Sequence, residues 1–125
     1  GYENRTTALR VPSGAPAAQR IEHRVAGGDV NPYLLVASIL GAALTGIEGK
    51  LTPPAPTHGN AYDAASPHLP TTWGEAIAAF EDCQMTAQIF PRELVANYLA
   101  TKRQEMHYMA ELSPEEQMQL YLDTV

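Results

Sequence analysis

Two short runs near the start of the chain, residues 5–11 (Arg-Thr-Thr-Ala-Leu-Arg-Val) and 19–25 (Gln-Arg-Ile-Glu-His-Arg-Val), are rich in β-branched residues. Both predict strands. The seven residues between them, Pro-Ser-Gly-Ala-Pro-Ala-Ala, are turn formers suited to a wide hairpin, and Gly27-Gly28 closes the second strand. A helix is then expected from Asn31-Pro32. Asparagine can cap a helix start by accepting a backbone N–H, and proline at the first helical position sacrifices no hydrogen bond. Residues 33–47 are apolar on nearly every face, which predicts a helix buried on all sides. Its small residues Ala37, Gly41, Ala42 and Ala43 would let neighbouring elements approach closely.

Residues 51–71 hold five prolines together with Gly59 and Asn60, so a long ordered loop is expected there. Thr72-Trp73-Gly74-Glu75 has the capping-box pattern and starts a helix with apolar positions Trp73, Ala76, Ile77 and Phe80. Phe90-Pro91 introduces another, carried by Leu94, Val95, Tyr98, Leu99, Met106 and Met109 at helical spacing. Ser113-Pro114-Glu115-Glu116 caps a last one. The expected architecture is α+β: two short antiparallel strands (1–28), a buried helix (31–48), a proline-rich loop (51–71) and a tail of three or four helices (72–125). Two strands make a poor sheet alone, and the apolar helix exceeds what this chain could easily cover. Partner strands are therefore expected from a larger domain.

Composition changes this picture little. The 125 residues are 45% hydrophobic and 18% charged, within the range of soluble globular domains. The apolar helix falls short of the roughly 20 residues that span a bilayer, which argues against a membrane anchor. The polar start has no apolar run of the kind a signal peptide carries, and a first residue other than Met suggests a cut point at Gly1. The one cysteine, Cys83, excludes an internal disulfide and a paired-cysteine zinc site, and is expected to be a buried, inert thiol in a reducing compartment.

Charge is more informative. The net charge of −6 argues against nucleic-acid binding by the whole surface. Residues 1–25 nevertheless hold four arginines against Glu3 and Glu22, while the remaining hundred residues hold four basic and twelve acidic side chains. A cationic patch at one end of an acidic chain points to a local anionic ligand. In a strand, Arg20, Glu22 and Arg24 share one face and Ile21, His23 and Val25 the other. A solvated salt-bridge ladder is one reading of that face. With Arg5 and Arg10 across the hairpin, a phosphate or carboxylate site is another, because the planar guanidinium grips such anions bidentately. Glu22 between arginines is expected to be ionised. It is either a ligand for Mg²⁺, which uses few protein carboxylates, or a structural group orienting Arg20 and Arg24. His23, His58, His68 and Trp73 are read as core, interface or loop residues, and the methionines as packing between helices.

Three of these segments resemble a known family. Asn4-Arg5-Thr6-Thr7-Ala8-Leu9-Arg10-Val11-Pro12 is similar to a strand of glutamine synthetases. Arg20-Ile21-Glu22-His23-Arg24 resembles their arginine-isoleucine-glutamate-x-arginine strand. Asn31-Pro32-Tyr33-Leu34 resembles the opening of the helix that follows. Thr101–Glu105 and Leu120-Tyr121-Leu122 are similar to the family's carboxyl-terminal helices, so the chain looks like the last part of a catalytic domain. The resemblance implies a cytoplasmic, ATP-dependent ligase of nitrogen metabolism that uses Mg²⁺ or Mn²⁺. Glutamate would be joined to ammonia or an amine, as in glutamine biosynthesis, through a γ-glutamyl phosphate, within a large homo-oligomer. Arg5 and Arg10 would contact nucleotide phosphates and the transferring phosphoryl group, and Arg20 the nucleotide. Glu22 would bind the metal, and Arg24 would hold the glutamate carboxylate under attack. Arg5 and Arg24 are thus the implied catalytic residues.

Ala17-Ala18-Gln19 replaces the basic residues found before the second strand in many ammonia-using members. Thr6 and Ala26-Gly27-Gly28-Asp29 resemble the branch that glutamylates amines or polyamines. Asn60-Ala61-Tyr62-Asp63 resembles the stretch carrying a modified tyrosine in some bacterial enzymes, although its flank Ala64–Pro67 differs and a plain loop tyrosine is the alternative. With the rest of the site upstream, these 125 residues alone are expected to be inactive. The competing expectation is a non-catalytic relative with a structural or regulatory role.

Overall fold

The computed structural model describes residues 1–64 and 68–124; the expectations that touch Ala65, Ser66 and Pro67 lie outside them. Strands β1 (Leu9–Arg10) and β2 (Glu22–His23) pair antiparallel, with Leu9 opposite His23 and Arg10 opposite Glu22. Five α-helices follow among the described residues: α1 (Pro32–Glu48), α2 (Trp73–Asp82), α3 (Gln84–Ile89), α4 (Arg92–Ala110) and α5 (Pro114–Thr124). The architecture is the α+β arrangement expected, with four helices in the tail.

The strands are much shorter than the runs that predict them. Hydrogen bonding extends β1 only through a bridge between Tyr2 and Val11 and a bond from Arg24 N–H to the Ala8 carbonyl at 3.0 Å. A two-stranded ladder has no further neighbour to hold its ends straight. Leu9, Ile21, His23 and Val25 are exposed, so His23 is not in a core of this chain.

Helix starts follow local chemistry. Asn31 Oδ1 accepts from the N–H groups of Tyr33 and Leu34 at 3.0 and 3.2 Å. At α2 the Thr72 hydroxyl accepts from Glu75 N–H at 3.2 Å while the Glu75 carboxylate accepts from Thr72 N–H at 3.3 Å, a reciprocal box. Ser113 and Glu116 repeat it before α5, at 2.8 and 3.3 Å. The break between α2 and α3 is not foreshadowed by apolar spacing. Cys83 leaves the helical backbone there, and Thr86 Oγ donates back to the Phe80 carbonyl at 3.1 Å. Cys83 is exposed, contrary to the expectation of burial, and its thiol is drawn below its ordinary pKa chiefly by the Thr86 N–H.

The core lies where α2, α3 and α4 meet and is thin. Ile77, Leu99 and Met109 are its buried apolar side chains, and none of the described side chains is fully enclosed. Phe80 packs on Tyr98 and Phe90 with ring centroids 5.5 and 6.5 Å apart. Tyr121 donates to Glu105 at 2.9 Å and ties α5 to α4. Helix α1 packs on α3 through Gly41, where an added Cβ would stand 2.7 Å from Cγ1 and Cγ2 of Ile89. The flank of α1 that carries Tyr33, Val36, Leu40, Leu44 and Ile47 is exposed. Burial on all sides is therefore not achieved within these 125 residues.

Gly41→Ala is expected to destabilise the α1–α3 contact by about 1–3 kcal/mol, the usual cost of overpacking. Combining it with Ile89→Ala should recover part of that loss in thermal unfolding. Additive losses would show that the helices do not meet at Gly41.

Candidate functional site

The hairpin brings together three of the arginine and glutamate side chains singled out in the sequence. Because Arg10 sits opposite Glu22 in the ladder, their side chains emerge on one face. Arg10 Nη1 donates to Glu22 Oε2 at 2.6 Å, and Arg24 Nη1 donates to Glu22 Oε1 at 2.5 Å. Glu22 thus bridges two guanidinium groups, one oxygen for each. Arg24 also donates through Nε to the Arg5 carbonyl at 3.1 Å, which fixes it against the start of the hairpin.

A second carboxylate, Glu3, completes the cluster. It accepts from Arg10 Nη2 with one oxygen and from Ser13 N–H at 2.5 Å with the other. Sequence reasoning missed this role, counting Glu3 only as one charge among the first 25 residues. Its backbone is left-handed, with φ of 48°, a conformation that non-glycine residues seldom adopt and that concentrates at functional sites. The Arg10 side chain is only 15% exposed, and its Nε is buried without a hydrogen-bond partner. A buried donor without a partner is unfavourable for folding.

Arg5 and Arg20 stand apart. Neither makes an ion pair among the described residues; Arg20 donates to the Ala18 carbonyl at 3.2 Å and borders a shallow depression with Tyr2, Pro12 and Ser13. The structure thus divides the four arginines into two pairs. Two carboxylates balance Arg10 and Arg24, and the uncompensated cations are Arg5 and Arg20.

The start of the hairpin has a structural share in this arrangement through its neighbours. Asn4 Nδ2 donates to the carbonyls of Gly59 and Thr57 at 2.8 and 3.2 Å, and Thr6 Oγ accepts from Ala61 N–H at 2.8 Å. Asn4 and Thr6 therefore staple the proline-rich loop to the hairpin, flanking Arg5. Tyr62 lies on the stapled turn Ala61–Asp63 and is exposed. An apolar cleft of about 520 Å³ between α1, α2 and α4 is lined by other residues, including Leu34, Trp73, Phe80 and Tyr98, and holds none of this cluster.

Among the described residues no three of His, Cys, Asp and Glu gather as a metal site. Glu22, which like Glu3 accepts one donor on each oxygen, could offer a partial site. A carboxylate has about four lone-pair positions, and its two arginines use one on each oxygen. That fits Mg²⁺ or Mn²⁺, which take few protein carboxylates and complete their shells with phosphate oxygens and water. Among the described residues, no helix is long and apolar enough to cross a membrane.

Comparison with known proteins matches residues 1–121 to the glutamine synthetase catalytic domain. The chain belongs to the glutamine synthetase family. It is 46% identical over 106 residues to γ-glutamylethanolamide synthetase GlnA4 of Streptomyces coelicolor, covering 85% of this chain and 23% of that protein. It is 37% identical over 129 residues to a glutamate–isopropylamine ligase of a Pseudomonas species, covering all of this chain and 28% of the relative. A glutamine synthetase of Aquifex aeolicus is 32% identical over 131 residues, 96% of this chain and 28% of that enzyme. The chain thus spans about a quarter of the length of these relatives.

Glu22 is held below its usual 4.5 first by Arg24 and then by Arg10, and Glu3 first by the Ser13 N–H and then by Arg10. Both bind protons less readily folded than unfolded. Their stabilising effect is complete above pH 4.5 and is lost as pH falls through the lower folded-state midpoints. Carbon-13 titration of the Glu22 carboxyl should show a midpoint below 4.5. Arg24→Gln should raise it more than Arg10→Gln; a midpoint indifferent to both would disprove the bridged geometry.

Proposed function

We propose that the protein carrying this chain is an ATP-dependent ligase that joins the side-chain carboxylate of glutamate to an amine, forming a γ-glutamyl amide. The observation that carries this reading is Glu22 bridged by Arg10 and Arg24 on the hairpin of a glutamine synthetase-family chain. Two relatives, at 46% and 37% identity, are named for ethanolamine and isopropylamine products or substrates. That favours an organic amine over ammonia as acceptor.

Transfer of a phosphoryl group depends on positioning and on neutralising charge spread over its oxygens. Arg5 and Arg20, the hairpin arginines without a carboxylate partner among the described residues, are suited to nucleotide phosphates, and Arg10 to the transferring group. Glu22 would hold a divalent ion with its spare lone pairs; the ion, when bound, supplies charge neutralisation at the phosphates. Arg24 is anchored on the Arg5 carbonyl and Glu22, so its remaining donors can hold the glutamate carboxylate as it becomes an acyl phosphate. The amine then displaces phosphate. The other metal ligands, the amine pocket, the sheet partners of β1 and β2 and the cover for α1 belong to the remainder of the catalytic domain. A cytoplasmic homo-oligomer is part of the same proposal.

Phosphate release by the full-length protein with glutamate, ATP and Mg²⁺ tests this directly. Ethanolamine, isopropylamine or putrescine should support faster release than ammonia, and Glu22→Gln should lower kcat/KM at least about a hundredfold. Residues 1–125 alone should transfer nothing. Ammonia outperforming every amine would refute the acceptor assignment, and no release with any acceptor would favour a non-catalytic relative.

A further inference from the structure

Each arginine that grips Glu22 has a second anchor that does not involve Glu22. For Arg24 it is the Arg5 carbonyl, at 3.1 Å from Nε. For Arg10 it is the Glu3 carboxylate, which is itself fixed by the Ser13 N–H at 2.5 Å. We infer that Glu3 is a positioning residue: it keeps Arg10 paired and oriented when Glu22 turns to a divalent cation, so that the cation does not have to compete with Arg10 for Glu22. This rests on the reading of Glu22 as a metal ligand.

The physical case begins with competition. A cation binding a carboxylate already shared by two guanidinium groups must use the free lone pairs or displace a partner. Displacing Arg10 from its sole counter-ion would strand a charged group that is 15% exposed, an unfavourable exchange. Glu3 removes that obstacle by offering Arg10 a carboxylate outside the metal's reach of Glu22. The left-handed backbone at Glu3, φ 48°, turns its carboxylate back across the hairpin to Arg10 and Ser13.

The test uses the full-length protein and Mn²⁺ as probe, with free metal followed by electron paramagnetic resonance without turnover. Glu3→Gln keeps an acceptor for the Ser13 N–H and loses the charge that holds Arg10. Its melting temperature should stay within a few degrees of the parent, while Mn²⁺ affinity falls about tenfold. Glu3→Asp, which keeps the charge and tolerates the left-handed backbone, should restore at least part of the affinity. Unchanged Mn²⁺ binding in Glu3→Gln would overturn the inference. So would an affinity loss matched by unfolding at the assay temperature, or no rescue by Glu3→Asp. Glu22→Gln separates the two levels: if it binds Mn²⁺ as the parent does, the metal assignment itself fails and Glu3 falls with it.

Discussion

Sharing one carboxylate between two arginines is the constraint on which the hairpin and its chemistry depend. Glu22 sits opposite Arg10 in the ladder and two residues before Arg24, so pairing of the strands delivers both guanidinium groups to it. Two guanidinium groups held on one carboxylate repel each other. The bridge converts that repulsion into attraction. It also holds two arginines at fixed spacing before any ligand arrives, and preorganised charge is what phosphoryl transfer asks of a protein. Glu3 extends the arrangement so that the cluster is balanced internally, while Arg5 and Arg20 remain as the surplus positive charge.

The scaffold behind this cluster is less self-sufficient than the cluster. Asn4 and Thr6 anchor the loop around Thr57–Ala61 beside the hairpin, and α2, α3 and α4 share a small aromatic and aliphatic core. Helix α1 covers only the face that meets Ile89 of α3. The apolar row from Tyr33 to Ile47 and the exposed Leu9, Ile21 and Val25 of the hairpin leave large hydrophobic surface uncovered. A chain that spans a quarter of its relatives would meet its sheet neighbours and helix cover in the other three quarters.

Much of the local structure was legible because it depends on neighbours in sequence. Asn31, Thr72 with Glu75, and Ser113 with Glu116 cap helices through groups two or three residues away, so their chemistry can be read directly from spacing. The pairing of the strands and the meeting of Arg10, Glu22 and Arg24 were also readable, from alternation and the family motifs. What escaped depends on distant or absent partners. Glu3 reaches Arg10 and Ser13 only through a backbone turn that its residue type does not announce. The strands shrank to two residues each for want of neighbouring strands. Arg20 lies outside the regular ladder, which stops at Glu22, and Cys83 became exposed where α2 gives way to α3.

The most direct measurement is a crystal structure of the full-length protein with Mn²⁺ and a non-hydrolysable ATP analogue, the metal located by its anomalous signal. A Glu22 oxygen about 2.1 Å from the ion, with Arg10 still on Glu3 and the nucleotide phosphates against Arg5, is the arrangement this account requires. Glu22 remaining clamped by both arginines, with the metal held entirely by other residues, would contradict it.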